Sequence, residues 1–368
     1  MERDDLRFVG SEKNGSDPPD KIMARMKVVS KYIVLVFLAG WSVAASGQDH
    51  IYSQFYNAPL YLNPALTGQF EGDIRLNMIY RNQWTGLSGT LSYISASADL
   101  NIPNFGGGLG LQFNRSTEGT AFLVKNNVAA TYSYSVGSDD FVLSFGIQAG
   151  FTNRRINWDK LVFSDQIDNR LGYIPGSVSS AQLPDMAQRF FFDPGAGINL
   201  VYGNFMAGVA AYHINQPDES FSGAQAKLPG RLALNASYRL ALTQNYTYGA
   251  DDGSYLIPSV VYYKQGNVSS MSAGAQYKYK GVNTGLWYRT SGEGGPDAIV
   301  ISLIFDIFSG ARRNGEKLRL GISHDATTSK INYTNTNGTT EGSIGYQKYF
   351  PNSSSYNKFN GLRCYDFY

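Results

Sequence analysis

Between Lys125 and Val136 the chain reads KNNVAATYSYSV, and alternate residues separate by character. Asn126, Val128, Ala130, Tyr132, Tyr134 and Val136 fall on one face, with Lys125, Asn127, Ala129, Thr131, Ser133 and Ser135 on the other. A period of two with one greasy and one wet face predicts a strand lying between two different surroundings. The division recurs. LALNASYRL sets Leu232, Leu234, Ala236, Tyr238 and Leu240 against Arg231, Asn235, Ser237 and Arg239, and MSAGAQYKYK sets Met271, Ala273, Ala275, Tyr277 and Tyr279 against Ser272, Gln276, Lys278 and Lys280. In FVLSFGIQAGF the apolar set is Phe141, Leu143, Phe145, Ile147, Ala149 and Phe151. Read this way, the pattern predicts strands at 73–81, 91–101, 106–114, 124–136, 141–153, 190–202, 205–214, 230–240, 254–264, 268–280, 282–290, 296–307, 317–325 and 340–349. Most approach the ~9–11 residues that cross a tilted bilayer, against ~5–6 in ordinary globular sheets.

Alternation alone fits a secreted two-sheet sandwich as well as a membrane barrel. The faces decide between them: nearly every strand offers five or six apolar residues, aromatics included, without a second sheet's worth of inward matches. The expected fold class is therefore all-β, a transmembrane antiparallel β-barrel of about 14 strands over 73–350, apolar outside and polar within. Closure also removes the sheet edges that lipid cannot hydrogen-bond. Charges in the clear strands fall on the polar face, where they avoid the roughly 2–4 kcal/mol penalty of a Lys or Arg at mid-bilayer. Interior Arg75, Lys125, Arg231, Arg239, Lys278 and Arg289 are expected to form networks with acids or, as the alternative, to favour anionic groups. The segments 256–263 and 298–308 are apolar on both faces, so the pattern leaves their registers open. With the N-terminus on the periplasmic side, even-numbered connections should be short turns and odd-numbered ones outer loops. IPNF, GSDD, GN and Lys280-Gly281 obey, as do the long connections 154–189 and 215–229; 241–253 and 308–316 are longer than the rule wants, and QGN is shorter.

Composition agrees with this picture without proving it. Charged residues make up 16% of the chain and aromatics 14%, against roughly 25% charged in an average soluble domain. Formal net charge is +2, which gives no basic footprint for nucleic acid. Arg25, Lys27 and Lys31 precede the apolar run YIVLVFLAGW and the small residues SVAASG, the order of a secretory signal peptide cleaved after Gly47. Residues 1–47 are accordingly read as a leader with a polar upstream extension, 48–72 as an N-terminal periplasmic or plug segment, and 351–368 as a tail lacking clean alternation.

Candidate chemistry is sparse. The single cysteine, Cys364, and three scattered histidines, His50, His213 and His324, assemble neither a disulfide framework nor a thiolate zinc site. No cofactor, metal or catalytic residue is expected, and the chain is not read as an enzyme: His213 and His324, each at a strand end, are read as hydrogen-bonded rim residues. The glycines of NFGGGLG are read as wall packing, because no Lys-Ser or Lys-Thr follows to complete a phosphate loop.

Two motifs stand out. HIYSQFYNAPLYLNPALTGQF contains turn formers at Asn63-Pro64 and Thr67-Gly68 and predicts a compact plug or lead-in. YRNQW supplies hydrogen-bond donors in Arg81 and Gln83 and an interfacial Trp84; its simplest reading pairs Arg81 with a carboxylate or carbonyl and puts Trp84 in the aromatic girdle. YNAPLYLNPALTG followed by YRNQW and SASADL resembles the PorP/SprF family of outer-membrane proteins of type IX secretion and gliding motility. The resemblance implies a barrel of the cell outer membrane that assists export or surface attachment of large adhesins, with type IX secretion components or adhesin cargo as partners. It marks Asn63, Pro64, Gly68, Tyr80, Arg81, Asn82, Gln83 and Trp84 as family-motif or partner-contact positions. The alternative, on fourteen strands behind an NPA-containing segment, is a FadL-like outer-membrane channel for hydrophobic or small solutes.

Overall fold

The computed structural model describes residues 49–89, 91–119, 123–138, 140–181, 186–243, 253–292, 294–309, 316–350 and Phe367. The leader expected over 1–47 and nearly all of the tail lie outside the described residues, as does much of the connections 241–253 and 308–316.

Fourteen antiparallel strands close into a barrel. They are β1 (Ile74–Gln83), β2 (Leu91–Ile102), β3 (Gly107–Glu118), β4 (Leu123–Gly137), β5 (Phe141–Arg155), β6 (Gln188–Tyr202), β7 (Phe205–Tyr212), β8 (Arg231–Tyr238, continued by Leu240–Thr243), β9 (Ser254–Gln265), β10 (Val268–Tyr279), β11 (Val282–Ser291), β12 (Pro296–Ser309), β13 (Glu316–Thr327) and β14 (Thr339–Lys348). Each pairs with its neighbours in sequence, and β1 closes on β14 from Ile74↔Lys348 to Gln83↔Thr339. The break in β8 falls at Arg239, next to the point where Pro258 of β9 has no N–H to give the ladder.

The outer surface carries the apolar set. Leu111, Ile147, Leu286 and Ile301, near the middle of their strands, are each about 60% exposed, a contiguous greasy belt that water would penalise and hydrocarbon accepts. Aromatics flank it. Phe105, Tyr202 and Tyr279 are exposed near the end bearing the short turns, and Tyr80, Phe151 and Phe190 near the other, which bears the long loops 156–187 and 213–230.

The interior departs from the expected uniform polarity. From β13 round to β5 the inward side chains are mainly polar, including Arg75, Asp99, Ser133, Asp325 and Glu341. From β6 to β12 they include Val201, Met206, Ala210, Ala233, Val261, Trp287, Val300 and Ile304, which form one buried cluster with Phe55, Tyr56, Leu62, Leu66 and Phe367. The two segments apolar on both faces belong to this half. Their registers are fixed by what they face: Ile257, Val261, Val300 and Ile304 point inward and are buried, while Val260, Ile299, Ile301 and Phe305 point outward. Their inner apolarity matches the N-terminal segment rather than lipid.

That segment runs down the lumen. Asp49 lies at the loop end, where its N–H donates to Gln265 Oε1 at the end of β9. Asp73 lies at the turn end, where its N–H donates to the Lys348 carbonyl. Between them Phe55–Asn57, Pro59–Leu62 and Pro64–Leu66 form three single helical turns, all buried. Such short turns are marginal by themselves and persist because the barrel wall encloses them.

Candidate functional site

The polar wall holds the plug through one buried charge cluster. Both oxygens of Glu341 accept backbone N–H groups of the plug, from Ser53 and from Gln54, each at 2.8 Å. Arg81 Nη1 donates to Glu341 Oε1 at 2.5 Å, to Asp325 Oδ2 at 3.2 Å and to Ser53 Oγ at 3.1 Å. Arg289 Nη2 donates to the same Asp325 oxygen at 2.9 Å, and Ser53 Oγ donates to it at 2.7 Å. Arg81, Asp325 and Glu341 are at most 2% exposed. Charges so buried persist only as a paired set, so the cluster fixes its members in place. The wall supplies the charges and the plug supplies the N–H groups between them.

A second clamp sits nearer the turns. Arg75 donates to Asp99 through Nε at 2.9 Å and Nη2 at 2.7 Å, and Nη2 also reaches the Leu66 carbonyl at 3.0 Å. Asp99 Oδ2 accepts the Gly68 N–H at 2.7 Å. Gly68 has φ +70°, and a Cβ there would stand 2.7 Å from Gly108 Cα in β3. Glycine is thus required on both sides of the contact.

Asn63 and Pro64 occupy a third seat. Asn63 Oδ1 accepts the Ala65 N–H at 2.9 Å, capping the last helical turn, while Nδ2 donates to the carbonyls of Ile198 at 3.0 Å and Val209 at 3.3 Å. The wall is glycine where this turn rests: a Cβ on Gly197 would fall 2.1 Å from Asn63 Oδ1, and one on Gly146 2.2 Å from the Ala65 nitrogen.

At the loop end Asp49 is pinned. Its carboxylate contacts Lys125 Nζ at 3.0 Å and His213 Nε2 at 2.5 Å, and Arg231 Nη1 stands 3.7 Å away. Burial raises the Asp49 pKa, but Lys125 and His213 outweigh it and hold the group well below the usual carboxylate range. His213, just past β7, is pushed down by burial and more strongly up by Asp49 and Asp193, for a net rise. His50, stacked on Tyr93 at 4.2 Å, is lowered to about 3 by burial. The Arg231 guanidinium lies between the rings of Tyr61 and Tyr212, 4.3 and 4.4 Å from their centroids.

The motif residues therefore divide. Asn63, Pro64 and Gly68 belong to the plug and its seats, and Arg81 to the central clamp. Gln83 Oε1 accepts from Arg81 Nε at 3.3 Å. Tyr80 faces outward in the aromatic belt at 44% exposure. Trp84, at φ +54°, lines a cavity at the loop end, so Tyr80 rather than Trp84 is the belt residue of this motif. Asn82 is half-buried. YRNQW marked Arg81 as a cation pairing with a carboxylate or carbonyl, but its partners Asp325 and Glu341 are far away in sequence, and the role of Glu341 had no local signal. Among the described residues neither strand-end histidine is bonded to a serine: His213 meets Asp193 and Asp49, and His324 meets Thr340 and Tyr333.

Of the predicted interior cations, Arg75, Lys125, Arg231 and Arg289 all pair with carboxylates. Arg239 lies over the Tyr255 ring, 3.9 Å from its centroid.

Residues 44–346 match the family model described as type IX secretion system membrane protein PorP/SprF. No curated protein matches the chain. Among solved structures it is similar to a deletion mutant of TodX, described as a monoaromatic hydrocarbon channel, at 11% identity over 80% of this chain and 94% of that one, with a TM-score of 0.44. It is similar also to the outer membrane protein Omp33 of Acinetobacter baumannii, at 6% identity over 77% of this chain and 100% of that one, with a TM-score of 0.38.

Proposed function

The chain belongs to the type IX secretion system membrane protein PorP/SprF family, and from that premise we propose that it is a plugged, non-conducting anchor which assists export or surface attachment of large adhesins in secretion and gliding. As a member of that family it is an outer-membrane barrel component of type IX secretion. The single observation that carries the finer reading is the plug. Residues 49–73 are fixed to the wall at the loop end, at the Arg81 cluster, at the glycine seat of Asn63 and at Asp99. A segment tied at four levels by buried groups favours a barrel that holds a position over one that passes solutes.

The surfaces left for partners are the connections. Loop 156–187 is braced by its own side chains: Asp165 accepts from Ser179 Oγ at 2.8 Å and from the Ser180 N–H at 2.7 Å, and Ile167–Asp168 pairs with Gly172–Tyr173. The braced loop presents Leu171 at 81% and Val178 at 94% exposure, as expected of a protein contact surface. By the rule that long loops face outward, it stands on the outer side of the membrane, where exported adhesins emerge. Pull-down from detergent-solubilised outer membranes with mass spectrometry tests the proposal. Recovery of secretion components or a large adhesin, lost when Leu171 and Val178 are both changed to Ser, is the expected result; a barrel recovered alone would overturn it. The hydrophobic-solute channel would instead require the N-terminal segment to leave its seat.

A further inference from the structure

Above the plug, at the loop end, lies a cavity of about 440 Å³ floored by His50, Ile51 and Arg81. Its walls carry rings, from Trp84, Tyr93 and Tyr263, and small hydrogen-bonding groups, from Gln83, Gln265, Ser269, Ser270 and Ser291. We propose that this cavity is a binding site for a neutral, hydroxyl-rich ligand, a short oligosaccharide presented at the cell surface.

The charge pattern comes first. The lining arginines are Arg81, Arg231 and Arg289, and the lining carboxylates are Asp49, Glu118 and Asp297. Three of each sign cancel. Arg81 and Arg289 are already engaged by Glu341, Asp325 and Asp297, and Asp49 by Lys125 and Arg231, so these charges are spent on one another rather than left for an anion or a cation.

Unused hydrogen-bonding capacity comes second. His50 Nε2, Arg231 Nε and Ser270 Oγ are buried and have no hydrogen-bond partner among the described residues. Arg231 itself is 4% exposed. Buried donors and acceptors without partners are uncommon in native proteins; here they lie on residues that line a cavity, where a small side-chain rotation would turn them towards a ligand. The ligand must offer donors and acceptors at close spacing, as vicinal hydroxyls do, together with a weakly apolar face to lie against aromatic rings.

A peptide is the other class with mixed hydrogen bonding. It fits less well. Among the described residues the strands that line the cavity are paired with a neighbour on each side, which leaves a peptide backbone no edge there. The aliphatic lining is limited to Ile51, Leu91 and Val268, few anchors for side chains.

The test uses the full chain purified in a detergent without a sugar headgroup, since alkyl glycosides would compete. Maltotriose, chitotriose and mannotriose are titrated by calorimetry, alongside a sialylated trisaccharide and a tripeptide mixture. Saturable binding of at least one neutral trisaccharide is expected, with the sialylated probe no tighter. Trp84→Ala should weaken it by about tenfold, and Trp84→Phe should recover part of the loss. Ser270→Ala, which removes an unpartnered hydroxyl and little packing, should weaken it less. Retention of the folded, heat-modifiable band on a gel shows that each variant still forms the barrel. Failure of all three neutral sugars, equal affinity in folded Trp84→Ala, or preference for the tripeptides would each overturn the assignment.

Discussion

Strands β1 and β12 look alike from the membrane and differ from the lumen. Outward, β1 shows Leu76, Met78 and Tyr80, and β12 shows Ile299, Ile301 and Phe305, all exposed. Inward, β1 gives the plug Arg75, Asn77 and Arg81, whereas β12 gives it Val300 and Ile304, with Ser302 Oγ accepting from the Tyr56 hydroxyl at 3.0 Å. One wall holds the plug by directed hydrogen bonds between buried charges, the other chiefly by apolar packing around Phe55, Leu62 and Trp287, with single bonds such as those of Asn63 and Tyr56. The charged wall fixes register, because the Ser53 hydroxyl bonds Arg81, Arg289 and Asp325, and a shift of one residue would put Tyr52 or Gln54 in its place. The apolar wall adds burial that tolerates small displacements. Together they explain how a segment with only single-turn helices stays in one conformation.

Breaking the charged side should have the largest effect. Arg81→Ala leaves Asp325 and Glu341 buried without their shared cation and should destabilise the folded barrel by about 3–5 kcal/mol, read as thermal unfolding in detergent. Adding Glu341→Gln to that variant should recover part of the loss. Absence of recovery would mean that the cluster is incidental to the plug.

The apolar side should respond differently. Leu62 is 1% exposed, and Leu62→Ala should cost about 3 kcal/mol, with no recovery from Glu341→Gln. Equal rescue of both variants would erase the distinction between the walls.

A smaller effect is expected at the seat between them. Gly197→Ala drives a methyl group into Asn63 Oδ1, and should destabilise by about 1–3 kcal/mol. Proteolysis should find the N-terminal segment cut faster while the strands remain protected.

The smallest effects are those of pH at the outer pin. The folded pKa of His213 is raised above 6.5, so its contribution is complete below 6.5 and is lost as pH rises through the folded value. His50 has its folded pKa depressed to about 3; its contribution is present above 6.5 and is lost as pH falls from there towards about 3. Asp49 is also depressed, and its contribution is lost only below the ordinary carboxylate range. Hydrogen-exchange protection at residues 49–52, relative to intrinsic exchange at each pH, should therefore be greatest near neutral pH and fall on both sides. His213→Gln should remove the alkaline limb alone.

The difference between the walls also explains what was legible in the sequence. Outward faces are set by lipid, which is the same for every strand, so alternation located β4, β5, β8 and β10 with little error at their ends. Inward faces are set by the plug. Where the plug is polar, as at Ser53 and Gln54, the inward residues are polar and the two faces contrast. Where it is apolar, as at Phe55 and Leu62, the inward residues of β9 and β12 are apolar too, and alternation loses its contrast. Periodicity cannot tell a plug from a bilayer, since both accept the same side chains. Arg81 was legible as a cation needing an acid, but choosing Glu341 and Asp325 required the β1–β14 closure, a contact between the two ends of the barrel. The glycine seat at Gly146 and Gly197 was hidden for the same reason: a glycine in a strand reports a close approach without naming what approaches.

The central claim is that the wild-type lumen is closed by a fixed plug. Conductance of the full chain in planar bilayers tests it directly. The account predicts no steady current from the wild type across a wide voltage range, and current only when Arg81→Ala or loss of the Asn63 seat releases the segment. A stable, ohmic current from the unmodified protein would contradict it.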